Sequence, residues 1–254
     1  FPVPLTHVWQ EDLGFRAGAA RNRACAQASG DYLVFIDGDC VPLPDFVSEH
    51  KRFAEPGWFV AGNRVLLSEA FTAQALALAV EAHDGQKRKG TAIPYIAHPM
   101  AVASIALEHG ADEEQAMAAL LHDAVEDGGA HYAQRIRAAF GDRVADIVQG
   151  CTDGVPDASG IKEKWKPRKE RYIAHLQHAS DDVLLVSGSD KLHNARAIVE
   201  DLLTIGPAVF DRFSASKAQT LWYYETLAGV FTRRGTPVAK ALNDTVRRMQ
   251  ELAT

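Results

Sequence analysis

The sequence is poor in cysteine, has no long apolar run and carries no excess of basic residues. Its three cysteines, Cys25, Cys40 and Cys151, are scattered and none has CxxC spacing, which argues against a disulfide framework and predicts a reducing, cytoplasmic environment. No apolar stretch approaches the roughly 20 residues of a membrane span, so we expect no membrane partner. A formal charge of −6 lacks the positive excess that coating phosphates requires, so we expect no nucleic-acid partner.

The chain has 254 residues, of which 47% are hydrophobic, enough for one large domain or two small ones. Its two parts differ in pattern, with a boundary expected near Leu67–Phe71. Residues 1–68 predict a short α/β segment, and residues 69–254 are almost entirely helical in periodicity. The expected fold class is therefore mainly α, with a small α/β segment at the N-terminus.

The first segment reads as half of an α/β unit. Residues 17–29 have helical composition and are closed by Gly30, a typical residue after a helix end. The apolar residues 32–36 predict a strand that leads into Asp37 and Asp39. A strand that ends in two acids suits cation binding, because strand ends aim side chains into the crevice of an α/β sheet.

The second segment predicts a series of amphipathic helices joined by short turns. Apolar residues recur at the helical period in "AFTAQALALAVEAHDGQ" and in "HPMAVASIALEHG", which Gly110 ends. A polar, Pro- and Gly-rich stretch between Cys151 and Lys169 predicts a long loop. Further helices are expected near residues 131–151, 168–179, 181–203, 215–233 and 237–252.

The stretch "AALLHDAVEDGG" predicts the end of an apolar helix that carries four ionisable side chains: His122, Asp123, Glu126 and Asp127. Four such groups beside an apolar segment cost stability unless a metal ion, a substrate or water binds them. Glu126 and Asp127 follow His122 and Asp123 by four residues, a spacing that places each pair on one side of a helix. A solvated helix end is the alternative interpretation.

Two further residues can complete a metal site. His98 precedes Pro99 at a predicted helix start, and Asp190 lies within the apolar helix "VLLVSGSDKLHNARAIV". Mixed imidazole and carboxylate ligands suit manganese, iron or zinc better than calcium. A divalent ion acidifies a coordinated water, and Glu126 and Asp127 are spaced to orient that water or take its proton.

Three ordered segments carry a family resemblance: "AHDGQKRKGT…PYIAHPMAVA", "AALLHDAVEDGG" and "SDKLHNARAI". On these, residues 70–252 resemble the HD superfamily of metal-dependent phosphohydrolases, within it the RelA/SpoT-type (p)ppGpp hydrolases. The resemblance implies a reaction that removes pyrophosphate from the 3′ position of the nucleotide, with Glu126 and Asp127 activating the attacking water. The residues it implies as ligands of one manganese ion are His98, His122, Asp123 and Asp190.

The resemblance also implies a nucleotide-binding set, whose members are Arg88, Lys89, Lys191, Asn194 and Tyr223. Two departures from the family pattern bear on the choice of nucleotide. Gly188 and Ser189 stand where the family has Leu-Ala, and Gly90 and Thr91 stand in place of the acidic Asp of the family's "RKDG". Basic clusters at residues 87–89 and 162–171 support a phosphate-rich small-molecule substrate, since their charge can offset several phosphates.

Residues 14–68 resemble the middle of a family 2 glycosyltransferase of the GT-A fold. The segments that carry this are "GFRAGAARNRACAQASGDYLVFIDGDCVP" and "GWFVAGNRVLLS". The resemblance implies that Asp37 and Asp39 are the Asp-x-Asp carboxylates of a sugar-nucleotide site. The segment lacks the first nucleotide-binding portion and the acceptor portion, so we expect these acids to be vestigial. Exposed edges of a partial sheet favour self-association, so a homo-oligomer is an alternative to a monomer.

Four functions follow from these patterns. The leading one is manganese-dependent hydrolysis of (p)ppGpp or a related nucleotide. The alternatives are a hydrolase of another nucleoside phosphate, a non-catalytic alarmone-binding protein, and glycosyl transfer by the first segment.

Overall fold

The computed structural model describes residues 6–9, 17–30, 33–34, 46–52, 74–154 and 163–254. The chain divides into two compact units, Phe1–Arg64 and Val65–Thr254. The boundary expected near Leu67–Phe71 lies outside the described residues. The architecture is mainly α, as the hydrophobic periodicity predicts.

The described part of the first unit contains two helices, α1 (Ala17–Gln27) and α2 (Phe46–Arg52). Helix α1 matches the predicted helix before Gly30. Of the expected strand at residues 32–36, only Leu33 and Val34 are described, and they have no regular secondary structure. Asp37 and Asp39 lie outside the described residues.

The second unit is a bundle of helices, of which α5, α9 and α10 begin at a side-chain cap. Asp112 and Gln115 form a capping box before α5, and Ser216 and Gln219 form another before α10. Ser180 caps α9 by accepting a hydrogen bond from the backbone N–H of Val183. The helices are α3 (Leu76–Ala82), α4 (Ala97–Glu108), α5 (Glu113–Leu121), α6 (Ala124–Gly128), α7 (His131–Cys151), α8 (Trp165–Leu176), α9 (Asp181–Ile205), α10 (Lys217–Arg233) and α11 (Ala239–Leu252), with a 3₁₀-helix at Gly206–Arg212 after α9.

The expectation of one continuous helix through "AALLHDAVEDGG" is wrong. Helix α5 ends at Leu121, and the backbone of Asp123 (φ −96°, ψ −6°) departs from α-helical values before α6 begins. His122 and Asp123 therefore occupy a corner between two helices. The corner turns both side chains toward the same interior point, which adjacent residues of a straight helix cannot do because they point about 100° apart.

Helix α9 is the central element of the bundle and packs against α4, α5, α7, α10 and α11. Gly188 in α9 permits the contact with the start of α11, since a Cβ at this position would lie 2.4 Å from Val238 Cγ2. The departure from the family pattern at Gly188 thus has a packing reason. None of the helices described is long and apolar enough to cross a membrane.

Candidate metal centre and active site

Three separate parts of the bundle contribute the four proposed metal ligands. His98 lies in the first turn of α4, His122 and Asp123 form the α5–α6 corner, and Asp190 lies in the middle of α9. Both imidazoles are almost fully buried, with exposures of 1% and 2%. The burial follows from the apolar faces that surround them on α4, α5 and α9.

Each imidazole Nε2 lies within 3.7 Å of an oxygen of both aspartates. His122 Nε2 is 3.1 Å from Asp123 Oδ2, and His98 Nε2 is 3.1 Å from Asp190 Oδ1. The two cross-distances are 3.5 Å for His98 to Asp123 and 3.7 Å for His122 to Asp190. Ligand atoms of His98, His122 and Asp123 all lie within 4.8 Å of each other. The four side chains of His98, His122, Asp123 and Asp190 together are called the metal centre below.

Each imidazole is fixed by its other nitrogen. His122 Nδ1 donates to the carbonyl of Ala119 at 2.8 Å, and His98 Nδ1 lies 2.8 Å from His193 Nδ1. Burial, with His98 and Arg88 nearby, lowers the pKa of His193 to about 4, so His193 is neutral at pH 7. The Nδ1 atom of a neutral His193 can therefore accept a hydrogen bond from the N–H at His98 Nδ1. Both rings therefore direct Nε2 at the metal centre, the orientation that a histidine ligand requires.

The donor set fits a divalent cation. His122 Nε2 is buried and has no hydrogen-bond partner among the described residues, although two carboxylates face it. Burial disfavours charge on His122, but Asp123 and Asp190 outweigh burial and raise its pKa well above the ordinary value. For Asp123 and Asp190, burial opposes the ionised carboxyl, but the charged neighbours outweigh burial and hold the pKa of both groups well below the usual range. A cation bound between these groups would balance the negative charge of Asp123 and Asp190 directly, in place of a proton on His122.

Neighbouring donors hold the two aspartates in place. The Tyr95 hydroxyl donates to Asp123 Oδ2 at 2.7 Å. Asn194 Nδ2 donates to Asp190 Oδ1 at 2.5 Å, and Lys191 Nζ binds the other oxygen of Asp190. Lys191 and Asn194, which the resemblance places near the nucleotide, thus contact the aspartate in this structure.

Glu126 and Asp127 lie on α6, one turn after the corner, in different surroundings. Glu126 is part-buried and lies 3.7 Å from the guanidinium of Arg168. Asp127 is exposed, and its Oδ2 accepts a hydrogen bond from Gln86 Nε2 at 2.9 Å. The α6 backbone ties this pair to the metal centre, because the N–H of Asp127 donates to the carbonyl of Asp123.

The proposed nucleotide-binding residues lie in two places. Arg88 donates to Asn194 Oδ1 at 2.8 Å, which links the loop before α4 to the metal centre through Asp190. Lys89 is exposed on the same loop. Tyr223 on α10 is only 5% exposed, and Lys169 Nζ lies 5.0 Å from the centre of its ring. The structure thus brings Arg88 and Asn194 together and keeps Tyr223 in the core.

A buried ion cluster lies beside Glu126. Asp153 binds both Arg168 and Lys169, and its side chain is only 5% exposed. Burial opposes the ionised carboxyl, but Lys169, Lys191 and Arg168 outweigh burial and lower the pKa of Asp153. The sequence pattern predicted a long polar loop from Cys151 to Lys169, and the structure turns the Asp153 side chain at its start inward.

Sequence reasoning missed Tyr95, His193, Gln86 and Asp153. Two of them had a signal in the sequence: Tyr95 lies three residues before His98, and His193 lies three residues after Asp190. Residues spaced by three on one helix are neighbours, so His193 was within reach of the metal centre. Gln86 and Asp153 gave no comparable signal, because their partners are distant in the chain.

Comparison with known proteins supports the family suggested by these motifs. A family model described as the HD domain matches residues 75–217, more than half of the chain. The chain belongs to the HD-domain family. That match contains all four candidate metal ligands, which lie between His98 and Asp190.

Relatives of the HD domain include named alarmone enzymes. The chain is 36% identical over 157 residues to the bifunctional (p)ppGpp synthase/hydrolase SpoT of Escherichia coli K12, covering 61% of this chain and 21% of that protein. It is 36% identical over 182 residues to the guanosine-3′,5′-bis(diphosphate) 3′-pyrophosphohydrolase MESH1 of Danio rerio, covering 68% and 89%. The chain therefore spans about a fifth of SpoT and most of MESH1.

A solved structure agrees with the helical architecture. It belongs to a metazoan ortholog of SpoT that hydrolyzes ppGpp, and it matches with a TM-score of 0.59 at 25% identity. The match covers 75% of this chain and 100% of that one. A second family model, glycosyl transferase family 2, matches residues 6–109 and so overlaps the HD domain at residues 75–109. The overlap contains α3 and α4, which belong to the helical unit.

Proposed function

We propose that residues 69–254 are a metal-dependent pyrophosphohydrolase that removes the 3′-pyrophosphate of (p)ppGpp. The observation that carries the proposal is the convergence of two buried imidazole Nε2 atoms and two aspartates beside a pair of acids. The names of the SpoT and MESH1 relatives support the choice of substrate.

In this proposal His98, His122, Asp123 and Asp190 hold one divalent ion, with manganese as the resident metal. Two nitrogen and two oxygen ligands suit a borderline-hard cation, which supports manganese over calcium. When bound, the ion supplies positive charge that polarises a phosphoryl oxygen and acidifies a nearby water. Tyr95, His193 and the other partners of the ligands hold them in position for this ion.

Glu126 and Asp127 position the attacking water and accept its proton. The water oxygen bonds to phosphorus, the bond from phosphorus to the ribose 3′-oxygen breaks, and that oxygen takes up a proton. The products are the guanosine 5′-phosphate compound with a free 3′-hydroxyl and pyrophosphate. Glu126 and Asp127 suit this role because α6 ties both to the corner that holds Asp123.

Cationic side chains of the loop before α4 favour a substrate rich in phosphate. Arg88 and Lys89 belong to this loop, which Arg88 joins to the metal centre through Asn194 and Asp190. Arg168 and Lys169, at the start of α8, are already paired with the buried Asp153, so their charge is largely balanced within the protein. In an overall acidic protein, cations beside a metal centre can offset part of the phosphate charge of a nucleotide with two diphosphates. We assign Arg88 and Lys89 to the nucleotide, and Lys191 and Asn194 to Asp190 and the adjacent phosphates.

The proposal is tested by incubating purified protein with ppGpp and manganese and measuring released pyrophosphate. We expect turnover by the wild-type chain and loss of turnover in Asp123→Ala. Asp142→Ala is the matched control, since Asp142 is an exposed aspartate on α7 whose partner is Arg137. A panel of nucleoside phosphates in parallel identifies a different preferred substrate. Tight ppGpp binding without turnover of any nucleotide contradicts the hydrolase and indicates a binding protein.

A further inference from the structure

The loop between α3 and α4 contacts two acids, Asp123 at the α5–α6 corner and Asp127 one turn later on α6. The Tyr95 hydroxyl donates to Asp123 Oδ2 at 2.7 Å, and Gln86 Nε2 donates to Asp127 Oδ2 at 2.9 Å. Asp123 and Asp127 lie one helical turn apart, joined by a backbone hydrogen bond. The loop therefore holds a metal ligand and a water-positioning acid at the same time.

The backbone of Gln86 is fixed on both sides. Its N–H donates to the carbonyl of His83 at 3.1 Å, and its carbonyl accepts from the N–H of Tyr95 at 2.9 Å. The ring centroids of His83 and Tyr95 lie 4.8 Å apart, so the two ends of the loop pack against each other. Gly85, at φ +69°, makes the tight turn between His83 and Gln86. Gln86 thus presents its amide to Asp127 from a defined position.

His83 determines which end of the Gln86 amide faces Asp127. His83 is only 4% exposed, and its Nδ1 lies 2.7 Å from Gln86 Oε1. A glutamine oxygen only accepts hydrogen bonds, so Nδ1 of His83 must carry the proton. With Oε1 held in this way, the amide nitrogen is directed at the carboxylate. A reversed amide would present an oxygen to Asp127, which is repulsive.

We propose that Gln86, oriented by His83, is a positioning residue that sets the placement of the Asp127 carboxylate relative to the metal centre. This inference rests on the proposed function, because it acts through the role assigned there to Asp127. The exposure of Asp127 supports it, since an exposed side chain on a five-residue helix samples several rotamers unless a partner selects one. Glu126 lies beside a different side chain, with its carboxylate 3.7 Å from the guanidinium of Arg168.

The first test compares Gln86→Met with wild type in steady-state ppGpp hydrolysis. Methionine keeps the length of the side chain and removes the donor. We expect kcat to fall roughly 10- to 100-fold, the effect of losing one hydrogen bond to a charged group, with KM and the Kd for manganese unchanged. Gln177→Met is the matched control, because Gln177 is an exposed glutamine at the far end of α8. It should retain wild-type kcat.

The second test separates orientation from packing at His83. Asparagine places an N–H donor close to the position of histidine Nδ1, whereas leucine fills the space without a donor. We expect His83→Asn to retain most of kcat and His83→Leu to match Gln86→Met. A readout independent of activity is the ¹⁵N spectrum of the metal-free protein, in which His83 should be protonated on Nδ1 and lose this preference in Gln86→Met.

The outcomes distinguish this inference from the proposed function. A wild-type chain that releases no pyrophosphate contradicts the proposed function itself. An active wild type with normal kcat in Gln86→Met overturns the inference alone. The inference also fails if a weaker manganese affinity or a higher KM accounts for the whole loss of activity in Gln86→Met. It fails as well if the wild-type ¹⁵N spectrum shows His83 protonated on Nε2.

Discussion

Replacing Asp153 by asparagine should destabilise the helical unit through the buried ion cluster. The Asp153 side chain is 5% exposed and binds Arg168 and Lys169, which are 12% and 15% exposed. Asparagine keeps the shape and one carbonyl acceptor, but it removes the counter-charge that Asp153 gives Lys169 and leaves Arg168 with the more distant Glu126, 3.7 Å away. Breaking such a pair from one side costs about 3–5 kcal/mol, and the retained carbonyl reduces this to about 3 kcal/mol.

The assay is thermal and urea unfolding at pH 7. For a unit of this size, a loss of about 3 kcal/mol lowers Tm by roughly 6–12 °C. Asp142→Asn is the matched control, because the partly exposed Arg137 pairs with the exposed Asp142, and it should change stability by less than about 1 kcal/mol. An Asp153→Asn variant within about 1 kcal/mol of wild type would refute the reasoning.

The same substitution makes a prediction for pH. The pKa of folded Asp153 lies below the unfolded value of 3.8, since its cationic neighbours outweigh burial. Its contribution is therefore complete above that value and is lost as the pH falls through the folded pKa. The difference in unfolding free energy between wild type and Asp153→Asn should stay constant from pH 7 to about pH 5 and narrow as the pH falls below the unfolded pKa of 3.8. A difference that stays constant below that value as well would contradict the electrostatic origin.

Three further predictions follow from the packing and from the metal centre. Gly188→Ala should lower the free energy of unfolding in urea by about 1–2 kcal/mol, because the clash with a stiff Val238 methyl outweighs the gain in helix propensity. In the control Gly229→Ala the new methyl meets the flexible side chain of Arg233, so this variant should be as stable as wild type or more stable. Manganese at about 100 times its Kd should add about 2.7 kcal/mol and raise Tm by roughly 5–11 °C, and no shift on removing the ion with a chelator would count against metal binding. Arg88→Leu should raise KM for ppGpp about tenfold and alter kcat less, since Arg88 binds Asn194 rather than a metal ligand; equal losses in both would contradict this assignment.

Local patterns were sufficient for much of the helical unit. The capping residues and Gly110 lie where the periodicity predicts helix ends, and α7 has the expected bounds. The four proposed ligands were accessible to sequence reasoning because each lies in a short motif with helical spacing. Their convergence required the tertiary packing of α4 and α9 around the α5–α6 corner, which the resemblance implied and local periodicity could not.

Contacts between segments that are distant in the sequence could not be predicted from local patterns. Gln86 reaches Asp127 across 41 positions, and Arg88 reaches Asn194 across 106. The break at Asp123 was missed because the alanines and leucines before it and Ala124 after it favour a continuous helix, whereas the conformation of Asp123 interrupts it. The inward turn of Asp153 was missed because its cationic partners lie beyond a polar loop whose composition indicates solvation.

The central claim is that side chains from three separate segments hold one divalent cation. Equilibrium dialysis of the purified chain against manganese tests this directly. We expect one ion per chain in wild type and in Asp142→Asn, with binding weakened at least 100-fold in both Asp190→Asn and His122→Ala. Manganese binding that is absent from the wild-type chain, or that survives both substitutions undiminished, would contradict the account.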